Sequence, residues 1–218
     1  MSNEDRLRTL AAENPGSAIE FVRDLPDGPE TDRLESLLRK LIGKEALYPQ
    51  RGPQEFALSS DAQITIFGGG AGSGKTWLAE FLPLQWLLDD DLKFTGIYYR
   101  KSRPEIVAPG GLWEECQRMW IPHGARFREL PLDCVFPNGN KIKFEQLFNE
   151  SPQVLTERVK GAQLMWYVLE ECTGFQLNTA LAVMSRNRSP VQGFKPRGFW
   201  TCNPDRDSWV FTFVRSGS

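Results

Sequence analysis

The sequence has few of the residues that build metal centres or disulfide frameworks. It contains one histidine and four cysteines, and the cysteines are scattered without a C-x-x-C pair. This pattern favours neither a zinc site nor a disulfide-stabilised fold, and it suits a reducing compartment. Internal repeats and low-complexity tracts are also missing. The composition therefore predicts an ordinary globular protein.

Long apolar runs and a strong net charge are absent as well. No stretch is long and apolar enough to cross a membrane, and the first residues lack the basic-then-apolar pattern of a signal peptide. The formal net charge is −2, so charge alone does not indicate a nucleic-acid partner. With 218 residues, 40% of them hydrophobic, the chain can bury one α/β core with a small appendage.

The clearest motif lies in residues 64–76, where a β-forming apolar run meets a burst of glycines and then a helix-forming segment, 77–88. Residues 69–76 fit the phosphate-binding pattern G-x-x-x-x-G-K-[ST] in full. Glycines allow backbone amides to turn towards an anion, and the side chains of Lys75 and Thr76 are expected to reach phosphate and Mg²⁺. The sequence therefore predicts a nucleotide site whose loop consists of Gly69, Gly70, Ala71, Gly72, Ser73 and Gly74.

A second motif is the apolar run 164–169, which ends in Glu170 and Glu171. Such a run is typical of a buried parallel strand, and open α/β sheets place their ligands at the carboxyl ends of these strands. We expect Glu170 to hold the magnesium shell and Glu171 to orient and deprotonate the attacking water. The alternative is a strand that merely ends in solvated acids.

Two further candidates are less specific. A glutamine can donate to and accept from the adenine edge, so Gln50 or Gln54, just before the phosphate loop, is a candidate base reader. A plain surface loop explains both equally well. Asn203 follows a predicted strand, 198–202, where its side chain would sense the γ-phosphate. In isolation, however, Asn203-Pro204 is also an ordinary turn signal.

The remaining pattern predicts an N-terminal helical appendage and a mixed core. The appendage, residues 1–45, has helices capped by Ser2 or Asn3, by Ser17 and by Thr31. The apolar stripe of the third helix leaves core packing, a nucleotide lid and a subunit contact open. Residues 48–60 read as a connector, 95–100 as a strand, and 112–120 and 176–187 as helices. The Asn138-Gly139 pair predicts a hairpin.

In this order, the segments resemble the N-terminal ATPase domain of the large terminase subunit of tailed bacteriophages, which packages genomes into proheads. The resemblance covers residues 45–215. Its specific part is the combination of the phosphate loop with Tyr-Tyr-Arg-Lys at 98–101 and Thr-Cys-Asn-Pro at 201–204. It implies ATP and Mg²⁺ as cofactors, a Gln54 (or Gln50) adenine contact, and a coupling motif at 201–203.

The resemblance also implies partners. These are double-stranded DNA, the small terminase subunit, and a ring of identical subunits, expected to be a pentamer, on the portal of a prohead in the host cytoplasm. In such rings an arginine of a neighbouring subunit reaches the γ-phosphate, and Arg158 is the candidate here. A local ion pair is the equal alternative for Arg158.

Three features depart from the family pattern. Ala71 stands where some members carry an arginine, and Glu170 stands where the acid is usually aspartate. No C-terminal nuclease is expected, because nothing after residue 205 could form its acidic cluster. The last residues, 216–218, resemble an appended tail. The predicted organisation is thus an appendage over 1–45 and an ATPase domain over 46–215.

The predicted fold class is α/β, a P-loop NTPase of the branch that uses a catalytic glutamate, with a mainly parallel central sheet flanked by helices. The predicted function is ATP hydrolysis that translocates double-stranded DNA. Two alternatives stay open. One is a helicase-like or other DNA-dependent ATPase, and the other is a nucleotide-gated ring-assembly module with negligible turnover.

Overall fold

The computed structural model describes residues 2–41, 49–147, 154, 157 and 163–216. The chain forms two compact units, residues 1–50 and 51–218. The predicted boundary at residue 45 lies outside the described residues and stays a prediction. In the parts of the chain that are described, no helix is long and apolar enough to cross a membrane.

The N-terminal unit contains the helices α1 (Asn3–Glu13), α2 (Pro15–Arg23) and α3 (Pro29–Leu41). They bury a small apolar core, which consists of Leu7, Ala18, Val22, Leu34 and Leu38. Ser2 caps α1 as predicted. The other two predicted caps are wrong, because Asn14 caps α2 and Thr31 lies inside α3, where its hydroxyl donates to the Pro26 carbonyl.

The second unit alternates helices and strands. Its helices are α4 (Pro53–Ser59), α5 (Lys75–Phe81), α6 (Leu84–Leu87), α7 (Arg103–Val107), α8 (Leu112–Trp120), α9 (Leu177–Met184) and α10 (Trp209–Arg215). Its strands are β1 (Ile64–Gly68), β2 (Thr95–Arg100), β3 (Arg126–Glu129), β4 (Leu132–Val135), β5 (Lys141–Gln146), β6 (Trp166–Leu169) and β7 (Arg197–Cys202). Short 3-10 turns follow α8 and β6.

The seven strands form one sheet in the order β1-β7-β6-β2-β5-β4-β3. Neighbours from β1 to β5 run parallel, whereas β3 and β4 are antiparallel. The predicted mainly parallel sheet is therefore confirmed. The interior strand β6 is buried along its whole length, as its uninterrupted apolar sequence indicated.

Two predicted elements differ from the structure. The connector 48–60 contains the short helix α4, whose first residue Pro53 occupies the favoured position for proline. The helix predicted to run from the phosphate loop to Leu88 is interrupted after α5, since Pro83 cannot donate an amide hydrogen bond within a helix. Helical periodicity continues across the break, which is why the sequence pattern did not show it.

Asn140 joins the end of α6 to the start of β2. Its side chain is buried, and its amide nitrogen donates to the carbonyls of Trp86 (3.0 Å), Leu87 (3.3 Å) and Asp89 (2.9 Å). Its oxygen accepts from the Phe94 amide at 2.9 Å. One side chain thus satisfies polar backbone groups at both ends of the loop between α6 and β2.

Replacing Asn140 by alanine should destabilise the second unit strongly, because the Phe94 amide and several carbonyls lose their partners inside the protein. We expect a loss of about 2–4 kcal/mol in the free energy of unfolding, measured by urea denaturation. The exposed Asn178 provides a matched control, since Asn178→Ala should change stability by less than about 0.5 kcal/mol. Equal effects of the two substitutions would contradict this role.

Candidate functional site

The phosphate loop connects β1 to α5 with a conformation that requires glycine. Gly72 and Gly74 have φ angles of 76° and 75°, in the left-handed region that side chains disfavour. A Cβ at Gly74 would collide with the Gln54 amide, and a Cβ at Gly69 would collide with the Ser73 side chain. The loop is therefore shaped by close approach as well as by backbone angles.

Lys75, the first residue of α5, folds its side chain back over the loop. Its ammonium donates to the carbonyls of Gly69 (2.5 Å) and Gly70 (2.8 Å) and to Oδ1 of Asn203 (3.1 Å). Asn203 follows β7, so two residues 128 positions apart meet at one point. The structure therefore brings the predicted γ-phosphate sensor next to the lysine of the loop.

Thr76 meets the first acid of the second motif. Its hydroxyl donates to Oε1 of Glu170 at 2.9 Å, and Oε2 of this buried carboxylate lies beside the Arg100 guanidinium. A hydroxyl and a buried carboxylate fit the all-oxygen ligand set that Mg²⁺ prefers. Burial raises the pKa of Glu170, while Arg100 and the Thr76 hydrogen bond oppose this rise.

Glu171 has an unusual backbone and an exposed side chain. Its φ and ψ angles are 55° and 53°, and its amide donates to the Thr201 hydroxyl at 3.1 Å. A left-handed conformation is uncommon for glutamate and is held by its surroundings. The turn separates the surroundings of the two acids, so Glu170 is buried and Glu171 remains open to solvent.

Arg100 is the site residue that sequence reasoning missed. Its guanidinium lies 3.3 Å from Glu170 Oε2 and 2.9 Å from Glu171 Oε1, and its side chain is only 15% exposed. It therefore compensates both carboxylates at once. The sequence signal that could have found it is its place in Tyr-Tyr-Arg-Lys at the end of β2, which supported only the family resemblance.

The other predicted contacts are only partly described. Gln54 is buried in α4, and its amide nitrogen donates to the Gly74 carbonyl at 3.4 Å, so it lies against the phosphate loop. Gln50 is exposed. Arg158 lies outside the described residues. The adenine contact of Gln54 and the trans role of Arg158 stay predictions.

The strand order of the sheet and the phosphate loop together define the class of protein. An intact phosphate loop follows β1, and β7 is inserted between β1 and the acid-bearing strand β6. This is a P-loop NTPase fold. The family model for the N-terminal part of the T4-like-virus-type large terminase subunit matches residues 66–216, more than half of the sequence, and the chain belongs to that family.

Solved structures share this fold at low sequence identity. The large terminase of a thermophilic bacteriophage has a TM-score of 0.55 and 18% identity, with 75% of this chain and 41% of that chain covered. The bacteriophage HK97 large terminase has a TM-score of 0.55 and 13% identity, with 78% of this chain and 38% of that chain covered. The N-terminal domain of the DNA packaging ATPase from bacteriophage phi29 has a TM-score of 0.52 and 15% identity, with 75% of this chain and 84% of that chain covered.

The chain spans less than half the length of the first two of these terminases, from the thermophilic phage and from HK97. At these identities the similarity shows the fold alone. A comparison with curated proteins found no match.

A further acid, Glu80, lies in α5 one helical turn beyond Thr76. It is 1% exposed, and its Oε1 has no hydrogen-bond partner. Burial raises the pKa of Glu80 well above its usual value of 4.5, and the carboxylates of Glu115 and Glu170 raise it further. Cys116 and Arg118 oppose the rise but are the weaker influences. Burial of Glu80 thus favours its protonated form.

The raised pKa of Glu80 predicts a specific pH dependence of stability. Between pH 4.5 and the raised pKa of Glu80 in the native state, the native protein binds more protons than the unfolded chain, so this residue lowers the free energy of unfolding as pH rises. Glu80→Gln keeps the shape and removes the titration. We therefore expect the variant to gain stability over the parent protein by about 1 kcal/mol or more between pH 5 and pH 8. Thermal unfolding of both proteins at the two pH values measures this gain, and a constant difference would refute it.

Proposed function

We propose that this chain is the ATPase motor domain of a large terminase, which hydrolyses ATP with Mg²⁺ and drives double-stranded DNA into proheads. The observation that carries the proposal is the contact between Thr76 and Glu170 at 2.9 Å. It joins the phosphate loop to the acid pair at the carboxyl edge of the sheet, where ligands bind in open α/β folds.

The loop and its lysine would bind the triphosphate. Amides of the loop after Gly69 would bind the anion, and Lys75 would exchange its present carbonyl acceptors for phosphate oxygens. Thr76 and Glu170 would hold Mg²⁺, which when bound neutralises charge on the phosphates. Gln54 is proposed to contact the adenine from its position against Gly74.

Glu171 is proposed as the general base. Its carboxylate lies on the solvent side of the acid pair, where it can accept a proton from an attacking water. The Arg100 guanidinium lies 2.9 Å from this carboxylate, and Asn203 accepts a hydrogen bond from Lys75. The proposed base and the lysine of the loop therefore each have a neighbour that positions them. Arg158 of an adjacent subunit is proposed to supply positive charge in the transition state.

The wider assembly is also a proposal. We infer that the domain works in a ring, with a pentamer as the expected size, docked on the portal of a prohead in the host cytoplasm, and that the small terminase subunit is a partner. Family membership supports this assignment, whereas the contacts described above concern one subunit. Residues 201–203 would couple hydrolysis to movement of the DNA.

The first test separates binding from chemistry. Lys75→Ala should weaken binding of a fluorescent ATP analogue by about tenfold or more, because the loop loses the ammonium group that would contact the phosphates. Glu171→Gln should bind the analogue like the parent protein and lose at least about 100-fold in phosphate release, because an amide oxygen is a poor base.

Phosphate release with Mg²⁺ or with EDTA provides the control, since chelation should abolish turnover in the parent protein. Comparable hydrolysis by Glu171→Gln and the parent protein would exclude Glu171 as the base. Unchanged nucleotide binding by Lys75→Ala would exclude the loop as the phosphate site.

Arg100 generates a separate prediction. Arg100→Ala should retain binding of the ATP analogue and lose about tenfold or more in turnover, because both carboxylates lose the cation that holds them. Arg100→Lys keeps the charge, but a single ammonium cannot contact both carboxylates through separate nitrogens as the guanidinium does. This variant should therefore recover only part of the hydrolysis rate. Full turnover by Arg100→Ala, measured by phosphate release, would exclude this holding role.

A further inference from the structure

The helix that begins at the phosphate loop has a gap in its hydrogen bonds. In a continuous helix the amide of residue 83 would donate to the carbonyl of Ala79, but Pro83 has no amide hydrogen. The helix is interrupted over residues 82–83, between α5 and α6. A buried carbonyl without a donor is costly, so Ala79 requires a partner from elsewhere in the protein.

Two aromatic side chains supply donors at this gap. The hydroxyl of Tyr98 donates to the Ala79 carbonyl at 2.5 Å, and the indole nitrogen of Trp120 donates to the Glu80 carbonyl at 3.1 Å. Both aromatic side chains are fully buried. Burial raises the pKa of Tyr98 well above its usual value of 10.0, so its hydroxyl keeps the proton that it donates.

The Tyr98 hydrogen bond connects the elements that carry the site. Ala79 lies about one turn after Thr76 in α5, and Tyr98 lies two residues before Arg100 on the same face of β2. Tyr98 is also paired in register with Val168 of β6, two residues before Glu170. One bond therefore fixes the helix of Thr76 relative to the strands of Arg100 and Glu170.

We propose that Tyr98 is a positioning residue for the metal–nucleotide site, because its hydroxyl replaces the amide missing at Pro83 and thereby sets the distance from Thr76 to Glu170. This inference rests on the proposed function and names a residue that determines its geometry. Tyr98 itself contacts neither the loop nor the acids in any described hydrogen bond. Its effect passes through the backbone of α5.

The test is Tyr98→Phe, which removes the hydroxyl and keeps the ring. Binding of a fluorescent ATP analogue is titrated in Mg²⁺ and in EDTA. We expect the affinity gained from Mg²⁺ to fall by about fivefold to tenfold, because Thr76 and Glu170 no longer meet correctly. Affinity in EDTA should stay within about twofold, since the loop amides and Lys75 are untouched.

The structure offers a compensating substitution. In the double variant Tyr98→Phe/Pro83→Ala, the new amide at position 83 can donate to the Ala79 carbonyl, so the Mg²⁺-dependent affinity should return towards that of Pro83→Ala alone. Tyr167→Phe is the matched control. Tyr167 is a buried tyrosine in β6 whose hydroxyl accepts from Trp200 at 3.1 Å, with no described hydrogen bond to α5.

A purely structural role gives a different result. If Tyr98→Phe and Tyr167→Phe both lower the melting temperature but leave the Mg²⁺-dependent affinity unchanged, the positioning role is refuted. Loss of the Mg²⁺ effect that Pro83→Ala does not recover would refute the assignment to the Ala79 carbonyl. Because binding is measured apart from turnover, a parent protein that binds with Mg²⁺ and does not hydrolyse would overturn the proposed function and still decide this inference.

Discussion

The hydrogen bond from Thr76 to Glu170 is the contact on which the rest of the site depends. It joins two residues 94 positions apart in the sequence. Thr76 lies in α5, which follows β1 through the glycine loop, and Glu170 comes directly after β6. Since β7 separates these strands, the contact forms only when all three are paired in the observed register.

Charge balance explains why this contact can be buried. Glu170 is 5% exposed, and an uncompensated carboxylate would be costly there. Arg100 offsets it from β2, the Thr76 hydroxyl donates to it, and Lys75 adds positive charge nearby. Burial raises the pKa of Glu80, in the same region, and so favours its neutral form. Around this contact, Arg100 therefore pairs with the buried carboxylate of Glu170 and with the exposed carboxylate of Glu171.

The parts of the site that sequence predicted are those set by local pattern. The glycine loop, Lys75 and Thr76 follow from one spacing, and Glu170 follows from an apolar strand that ends in acids. Arg100 could not be assigned a partner, because its pairing depends on β2 lying beside β6 in the sheet. The fold class was predictable for the same reason as the loop, since strands and helices alternate along the chain. The errors in the predicted helices also have local causes. Pro15 occupies the first turn of α2, and Pro83 interrupts the chain after α5. The apolar periodicity on which the helices were predicted does not show the effect of either proline.

The strand β7, inserted between β1 and β6, directly connects the phosphate loop with the acid pair Glu170 and Glu171. At its end, the Thr201 hydroxyl accepts from the Glu171 amide, the Cys202 carbonyl accepts from the Gly69 amide, and Asn203 accepts from Lys75. Three consecutive residues therefore contact, in turn, the backbone of Glu171, the first residue of the phosphate loop and the lysine of that loop. The same short segment thus contacts both Lys75 and the turn at Glu171. A sheet in which β1 and β6 were direct neighbours would lack this shared segment, so the strand order itself joins the phosphate loop to the acid pair.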